Sequence, residues 1–280
     1  MTARQVHAVI AAGVEDPSLL ARWLDEPERL RRQGVDPAAF DLIALRKFAG
    51  MTVKVRHNGL RHDLPLTFRL LNVTGQEIEV FSAYATHRAA DGAGYAPTTE
   101  GRTRDFMAFL DTWLDRARPE HVMLWDLIRH EHALAQVRRA SSASSTKSVA
   151  ASAAAVPHVC GAVILHEMQC DPRAVAAALH ESRPPFGDIA FETRYVCYWN
   201  AGGDRIRIID LDAFGYYALS LVDDVRSVAD LSEAMGGKRR PSRAFLQLLG
   251  QLGQAGILRY DKSAVGGRRS AVENPAAASP

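Results

Sequence analysis

Disulfides, membrane-crossing runs and a strong charge of either sign are all missing from this 280-residue chain. Cys160, Cys170 and Cys197 are an odd number in a medium-sized sequence, which argues against a disulfide framework and for a reducing, cytoplasmic setting. No stretch approaches the roughly 20 apolar residues that a bilayer crossing needs. The opening "MTARQVHAVIAAGVEDP" reaches Glu15 and Asp16 too soon for a secretory signal. With 34 Lys+Arg against 32 Asp+Glu the net charge is +2, which points to no polyelectrolyte partner. The expectation is a cytoplasmic protein that uses neither membrane nor nucleic acid.

Catalytic constellations are scarce too. "HVCGAVILHEMQC" and "RHEHA" supply His158, Cys160, His166, Glu167, Cys170, His130, Glu131 and His132, but no Cys-x-x-Cys or His-Glu-x-x-His spacing brings them together. On one continuous strand His158, Cys160 and His166 would share a face, yet several residue rises of apolar sequence separate them. His130 and His132, two apart on a helix, point away from each other. Glu131 falls on the apolar face of its helix, where a carboxylate more often caps a neighbouring helix or pairs with arginine than acts as a general acid. No Ser-His-Asp order, phosphate-cradling loop or carboxylate pair stands out. These readings predict neither metal nor cofactor on this chain, and no catalysis by it.

What is present divides the chain. "ASSASSTKSVAASAAAV", residues 140–156, has thirteen Ala or Ser in seventeen positions and reads as a linker. Before it, residues 1–139 read as an all-helical domain of about six helices. "DPSLLARWLDEPERLRRQG" is one helix opened by Asp16 and Pro17 and closed at Gly34. "DPAAFDLIALRKFAGMTVKV" repeats that opening at Asp36 and Pro37, with Phe40, Ile43, Ala44 and Lys47 at helical spacing. Leu124, Leu127, Ile128, Glu131 and Leu134 share one face of the last helix. After the linker, residues 157–262 read as α+β, and 263–280 as a disordered tail. "VCGAVILHEMQ" is a single strand, "DPRAVAAALHES" a short helix, and "RYVCYWN" and "RIRIIDL" strands of a hairpin closed by "AGGD". Three helices follow, at 212–222, about 227–235 and 241–254, and then a closing strand at 257–260. The fold class is therefore α+β: an N-terminal helical domain and a C-terminal winged-helix unit over about 195–262.

Winged helices commonly bind DNA, and a DNA-binding transcription regulator is the alternative reading. The third helix is ill suited to it. Between Pro241 and Gly256 only Arg243 is charged, although Lys238, Arg239 and Arg240 precede it. Phe245, Leu248, Leu249 and Leu252 mark its core face, with Phe214, Tyr217, Ala218 and Leu221 marking that of the first helix. Leu246, Gly250 and Gly253 leave another face of the third helix nearly bare, so that a second backbone can approach.

"IRIIDLDAFGYYALSLVDDVRSVADLSEA" with "FLQLLGQLGQAGIL" resembles the PqqD-like recognition element of enzymes that tailor ribosomally made peptides. Leu211-Asp212, Asp223-Asp224 and Arg226-Ser227-Val228 stand at the family's motif positions, with Asp224 where the family has Gly. "FMAFLDTWLDRARPEHVMLWDLIRHEHALAQ", carrying Asp126 and Glu131, resembles the helical domain that accompanies multinuclear non-haem iron-dependent oxidases. Taken in order, these segments resemble the partner subunits of such oxidases in ribosomal peptide biosynthesis, of the kind found in 3-thiaglutamate pathways. The resemblance implies a non-catalytic subunit in a heterodimer with a TIM-barrel oxidase, which holds the iron and modifies a cysteine of a precursor peptide. It further implies that the peptide adds as a strand beside Arg205, Ile206, Arg207, Ile208 and Asp210, against a helical wall of Arg243, Phe245, Leu246 and Leu249.

Overall fold

The computed structural model describes residues 2–90, 96–140, 150–181, 187–202 and 206–262. Its architecture is mixed α and β. Among the described residues up to Arg139 lie nine α-helices: α1 (Ala3–Glu15), α2 (Pro17–Asp25), α3 (Glu28–Arg32), α4 (Leu42–Arg56), α5 (Asn58–Asp63), α6 (Pro65–Val73), α7 (Glu77–Ala90), α8 (Thr99–Trp113) and α9 (Pro119–Arg139). Strands β1 (Ala155–Val159) and β2 (Ala162–Cys170), helix α10 (Pro172–His180), and strands β3 (Phe191–Asn200) and β4 (Ile206–Leu211) follow. Helices α11 (Ala213–Ser220), α12 (Val228–Ala234) and α13 (Arg243–Gln254) then lead into β5 (Leu258–Lys262).

Local chemistry explains where the helical expectation is corrected. The segment expected as one helix from Asp16 to Gly34 breaks into α2 and α3 at Glu26 and Pro27, because proline cannot donate to the preceding turn. Asp36 does cap at its expected place, but it caps only the 3-10 turn Pro37–Ala39, through the Ala38 N–H at 3.1 Å. It is Asp41 that accepts from Ala44 N at 2.8 Å and opens α4. The inner face of α4 is Leu42, Leu45 and Ala49 rather than Ile43, Ala44 and Lys47, which are exposed.

The chain divides into two compact units. The first comprises Met1–Ala135 with Met168–Thr193, and the second Gln136–Glu167 with Arg194–Pro280. Residues 168–193, expected inside the C-terminal unit, therefore group with the helices. Their apolar residues account for this: Cys170, Val175 and Leu179 belong to the same buried cluster as Phe68, Phe81, Phe106, Leu110, Leu124 and Leu127. Within that cluster Phe81 stacks on Phe106 at 5.0 Å, and Phe68 on Phe81 at 5.2 Å; aromatic pairs of this kind add about 0.5–1.5 kcal/mol each beyond area burial. Helix α9 has no exposed position from His121 to Ala135, so its burial is not confined to the apolar face and takes in Asp126, His130 and Glu131. A smaller cluster of Val9, Leu20, Trp23, Leu30, Val35 and Leu42 unites the first helices.

In the second unit the apolar run expected as one strand is divided at Gly161. This residue has φ +75°, and a Cβ there would lie 2.1 Å from the Asn200 carbonyl oxygen, so neither the turn nor the close approach admits a side chain. The two halves take different partners. β1 pairs antiparallel with β5, while β2, β3 and β4 form a three-stranded sheet in that order. Splitting the strand also removes the shared face expected for His158, Cys160 and His166. Most of the expected linker lies outside the described residues, but its end is structured: Ala155 starts β1, and the Ala153 carbonyl accepts from Ala229 N at 3.0 Å. The expected disordered tail also lies outside the described residues. The core of this unit is built by Cys197, Trp199, Ala218, Val228, Leu231, Phe245, Leu249, Leu252 and Tyr260. Ser227 and Asp230 form a reciprocal capping box at the start of α12, and Ser242 caps α13 through Phe245 N at 3.1 Å. Among the described residues no helix is long and apolar enough to cross a membrane.

Candidate peptide-binding surface

β4 lies at one side of its sheet, paired with β3 alone among the described strands. The register places Ile209 opposite Cys197, Leu211 opposite Tyr195 and Arg207 opposite Trp199. Since side chains alternate along a strand, Arg207, Ile209 and Leu211 share the face of Cys197 and Trp199, which looks onto α11–α13. Ile206, Ile208 and Asp210 take the other face, opposite Asn200, Tyr198 and Val196. Arg207 is exposed and its guanidinium lies over the Trp199 ring at 5.3 Å. Such a cation–π contact contributes roughly 0.5–1 kcal/mol at an exposed site and holds the charge against the sheet. Trp199 is fixed in turn by donating from Nε1 to the Cys160 carbonyl at 2.7 Å. Arg205 lies outside the described residues.

The helical wall is narrower than its expected residues. Phe245 and Leu249 are 2% and 0% exposed and belong to the core of the unit, where they hold α13 in place. Arg243 is exposed at the helix start, and Leu246 is half-buried. The two glycines of the bare face also differ. A Cβ at Gly250 would meet nothing within 4 Å, whereas one at Gly253 would lie 2.9 Å from the Tyr260 ring. Gly253 thus serves packing against β5, and Gly250 alone opens outward. On α11 the buried positions are Gly215, Ala218 and Leu219, while Phe214 and Tyr217 are 43% and 48% exposed, against the expected core stripe.

Between α11 and α12 the turn keeps a left-handed residue. Asp224 has φ +63°, the one positive φ outside glycine among the described residues. Asparagine and aspartate tolerate that region better than other side chains. Its carboxylate oxygen lies 3.1 Å from His158 Nδ1, and His158 Nε2 lies 3.2 Å from Asp261 Oδ2, so the turn is tied to both strands of the small sheet. The preceding Asp223 accepts from Arg226 N at 2.9 Å and Val225 N at 3.2 Å and pairs with Arg226 Nε at 2.8 Å; these bonds, led by the Arg226 N–H, hold its carboxyl below the usual range.

Two buried carboxylates of the helical unit, Glu131 and Asp126, are taken up by backbone donors. Glu131 accepts from Leu66 N and Thr67 N, both at 2.8 Å, and from Thr67 Oγ1 at 2.7 Å, thereby capping α6. Asp126 accepts from Gln169 N at 2.7 Å and Cys170 N at 3.0 Å. Burial pushes both carboxyls up, opposed by these hydrogen bonds. Burial pulls His130 down to about 4, helped by the charge of Arg173. Among the described residues no group of three His, Cys, Asp or Glu side chains is placed to hold a metal.

A small cavity of the second unit lies outside the expected site residues apart from Phe245. Phe214, Met235, Ser242 and Phe245 border a pocket of about 210 Å³ whose rim includes Lys238 and Arg240. The Gly236-Gly237 pair just before the basic run is the signal that the chain turns there, but no periodicity shows what the turn encloses. Comparison with known proteins leaves the chain to these observations: no family model matches it, and no curated protein does.

Proposed function

We propose that this chain is a non-catalytic partner subunit that binds a ribosomally made precursor peptide and presents it to an iron-dependent TIM-barrel oxidase modifying a cysteine. In this reading β3 to β5 with α11 to α13 are a winged-helix, PqqD-like recognition element. The observation that carries the reading is the outer side of β4, unpaired among the described strands, in a unit whose third helix has one charge, Arg243, and an open position at Gly250. A strand added at β4 gains main-chain hydrogen bonds for affinity, with side-chain contacts for selection. Leu246 and Gly250 supply the apolar side of the groove, and Arg207 and Arg243 supply positive charge for an acidic leader. Residues Val196 to Lys262 carry nine Lys+Arg and eight Asp+Glu, a weak footprint for duplex DNA.

The test is titration of a labelled candidate precursor peptide with an acidic leader and a cysteine. The double variant Arg207→Glu, Leu246→Asp is expected to weaken binding at least tenfold. Unchanged affinity overturns the groove, and salt-sensitive binding to duplex DNA in place of peptide overturns the function.

A further inference from the structure

Helix α4 is apolar on both of its sides. Its inner side, Leu42, Leu45 and Ala49, is used in the core of the first helices. The outer side shows solvent Ile43 at 60% exposure, Phe48 at 52%, Met51 at 58% and Val55 at 72%. At 100° per residue these four fall within one contiguous sector of the helix, together with Ala44 and Lys47. Isolated exposed apolar side chains are ordinary, but four on consecutive turns of one helix mark a surface that is covered in use.

The shape and charge of the surface say what covers it. Gly50 provides no side chain, and Ile43, Lys47, Met51 and Ile78 of α7 border a groove there of about 580 Å³. A concave apolar groove of this kind accepts a protruding ridge such as a helix, whereas a lipid surface is met by convex insertion of apolar side chains. Arg46 and Lys47 are exposed on this helix, and its sequence from Leu42 to Arg56 holds no Asp or Glu. That balance selects a ridge flanked by carboxylates, and it disfavours pairing with the same face of a second copy, where like charges would meet.

Resting on the reading of the chain as a partner subunit, we infer that the outer face of α4 docks an amphipathic helix with acidic flanks on the oxidase. The apolar contacts supply the buried centre of that interface, and Arg46 and Lys47 its charged rim.

The test mixes the full chain with a multinuclear non-haem iron oxidase from the same source and follows complex formation by size-exclusion chromatography with light scattering. Wild type is expected to form a heterodimer. Met51→Glu and Ile43→Glu, both at exposed positions, are expected to weaken it at least tenfold with unchanged thermal melting and precursor-peptide affinity. Lys47→Glu is expected to weaken it less and to remove part of its salt dependence. A complex of undiminished affinity in all three variants overturns the docking face and leaves the partner reading standing. Absence of any complex with wild type overturns both. Wild-type dimerisation lost in Met51→Glu, or phosphatidylserine-vesicle binding lost in Met51→Glu, overturns the inference in favour of a second copy or a membrane.

Discussion

Glu131 accepts both the backbone N–H and the hydroxyl of Thr67, at 2.8 and 2.7 Å, across 64 residues of sequence. It is a buried charge whose partners are the otherwise unsatisfied donors at the start of α6. Replacing it by Gln leaves an amide N–H₂ facing donors. Glu131→Gln is expected to destabilise the helical unit by about 1–3 kcal/mol, read as a lower urea midpoint at unchanged slope.

His130 gives the pH dependence a definite sign. Its folded-state pKa is lowered from 6.5 to about 4, so on acidification the unfolded chain takes up the proton first. Its contribution is complete above about pH 6.5 and is lost between about 6.5 and 4, to the extent of about 3 kcal/mol. Asp126 and Glu131 work the other way, because burial makes their folded forms bind protons more readily. The clean measurement is therefore differential. His130→Leu is expected to lower the steepness of stability against pH by about one proton in that window, and an unchanged slope contradicts the assignment.

Gly250 separates stability from binding. Its Cβ space is open, so Gly250→Ala is expected to stabilise the free protein by up to about 1 kcal/mol in thermal melts. Gly250→Leu fills the approach to α13 and is expected to reduce peptide affinity at least tenfold without loss of fold. Gly253→Ala is expected to destabilise instead, since its new methyl meets Tyr260.

At the α11–α12 turn the left-handed conformation and the His158 contact oppose each other when Asp224 is replaced. Asp224→Gly relieves the first and loses the second, with a net change expected within about 1 kcal/mol. Asp224→Ala loses both advantages and is expected to cost roughly 1–2 kcal/mol in chemical denaturation.

A fragment of residues 1–139 lacks Cys170, Val175 and Leu179 of its own core and the N–H groups that Asp126 requires. It is expected to melt without a cooperative transition, whereas the full chain melts cooperatively.

Reading order and packing explain what the sequence disclosed. Element type was legible wherever a cap and a period agreed: Ser227 before Val228, Leu231 and Met235, or Asp171 and Pro172 before α10. The mixed α and β character was legible for the same reason. Faces were legible only for helices with one apolar side. α4 has two, so the period admits both Ile43 and Leu42 as inward, and packing with α1 and α2 selects Leu42. At the candidate site, Arg207, Arg243 and Leu246 stay accessible to some degree, while Phe245 and Leu249 are claimed by the core. A helix of leucines and glycines does not announce which leucine points where until its neighbours are placed. Residues 168–193 carry no local mark of their long-range partners; only the folded unit shows that Asp126 reaches Gln169 and Cys170.

The discontinuous first unit sets a timetable for synthesis. Its helices are synthesised by Ala135, but the chain then enters the second unit and supplies Cys170, Val175 and Leu179 only roughly 35–45 residues later. At ordinary elongation rates that is a delay on the order of 2–9 s, during which the nascent helices have unfilled apolar seats where Cys170, Val175 and Leu179 belong. The N-terminal unit therefore cannot complete its folding first, as N-terminal domains usually do. Its completion falls within the synthesis of the second unit, and the nascent chain depends through that interval on whatever shields the unfilled seats.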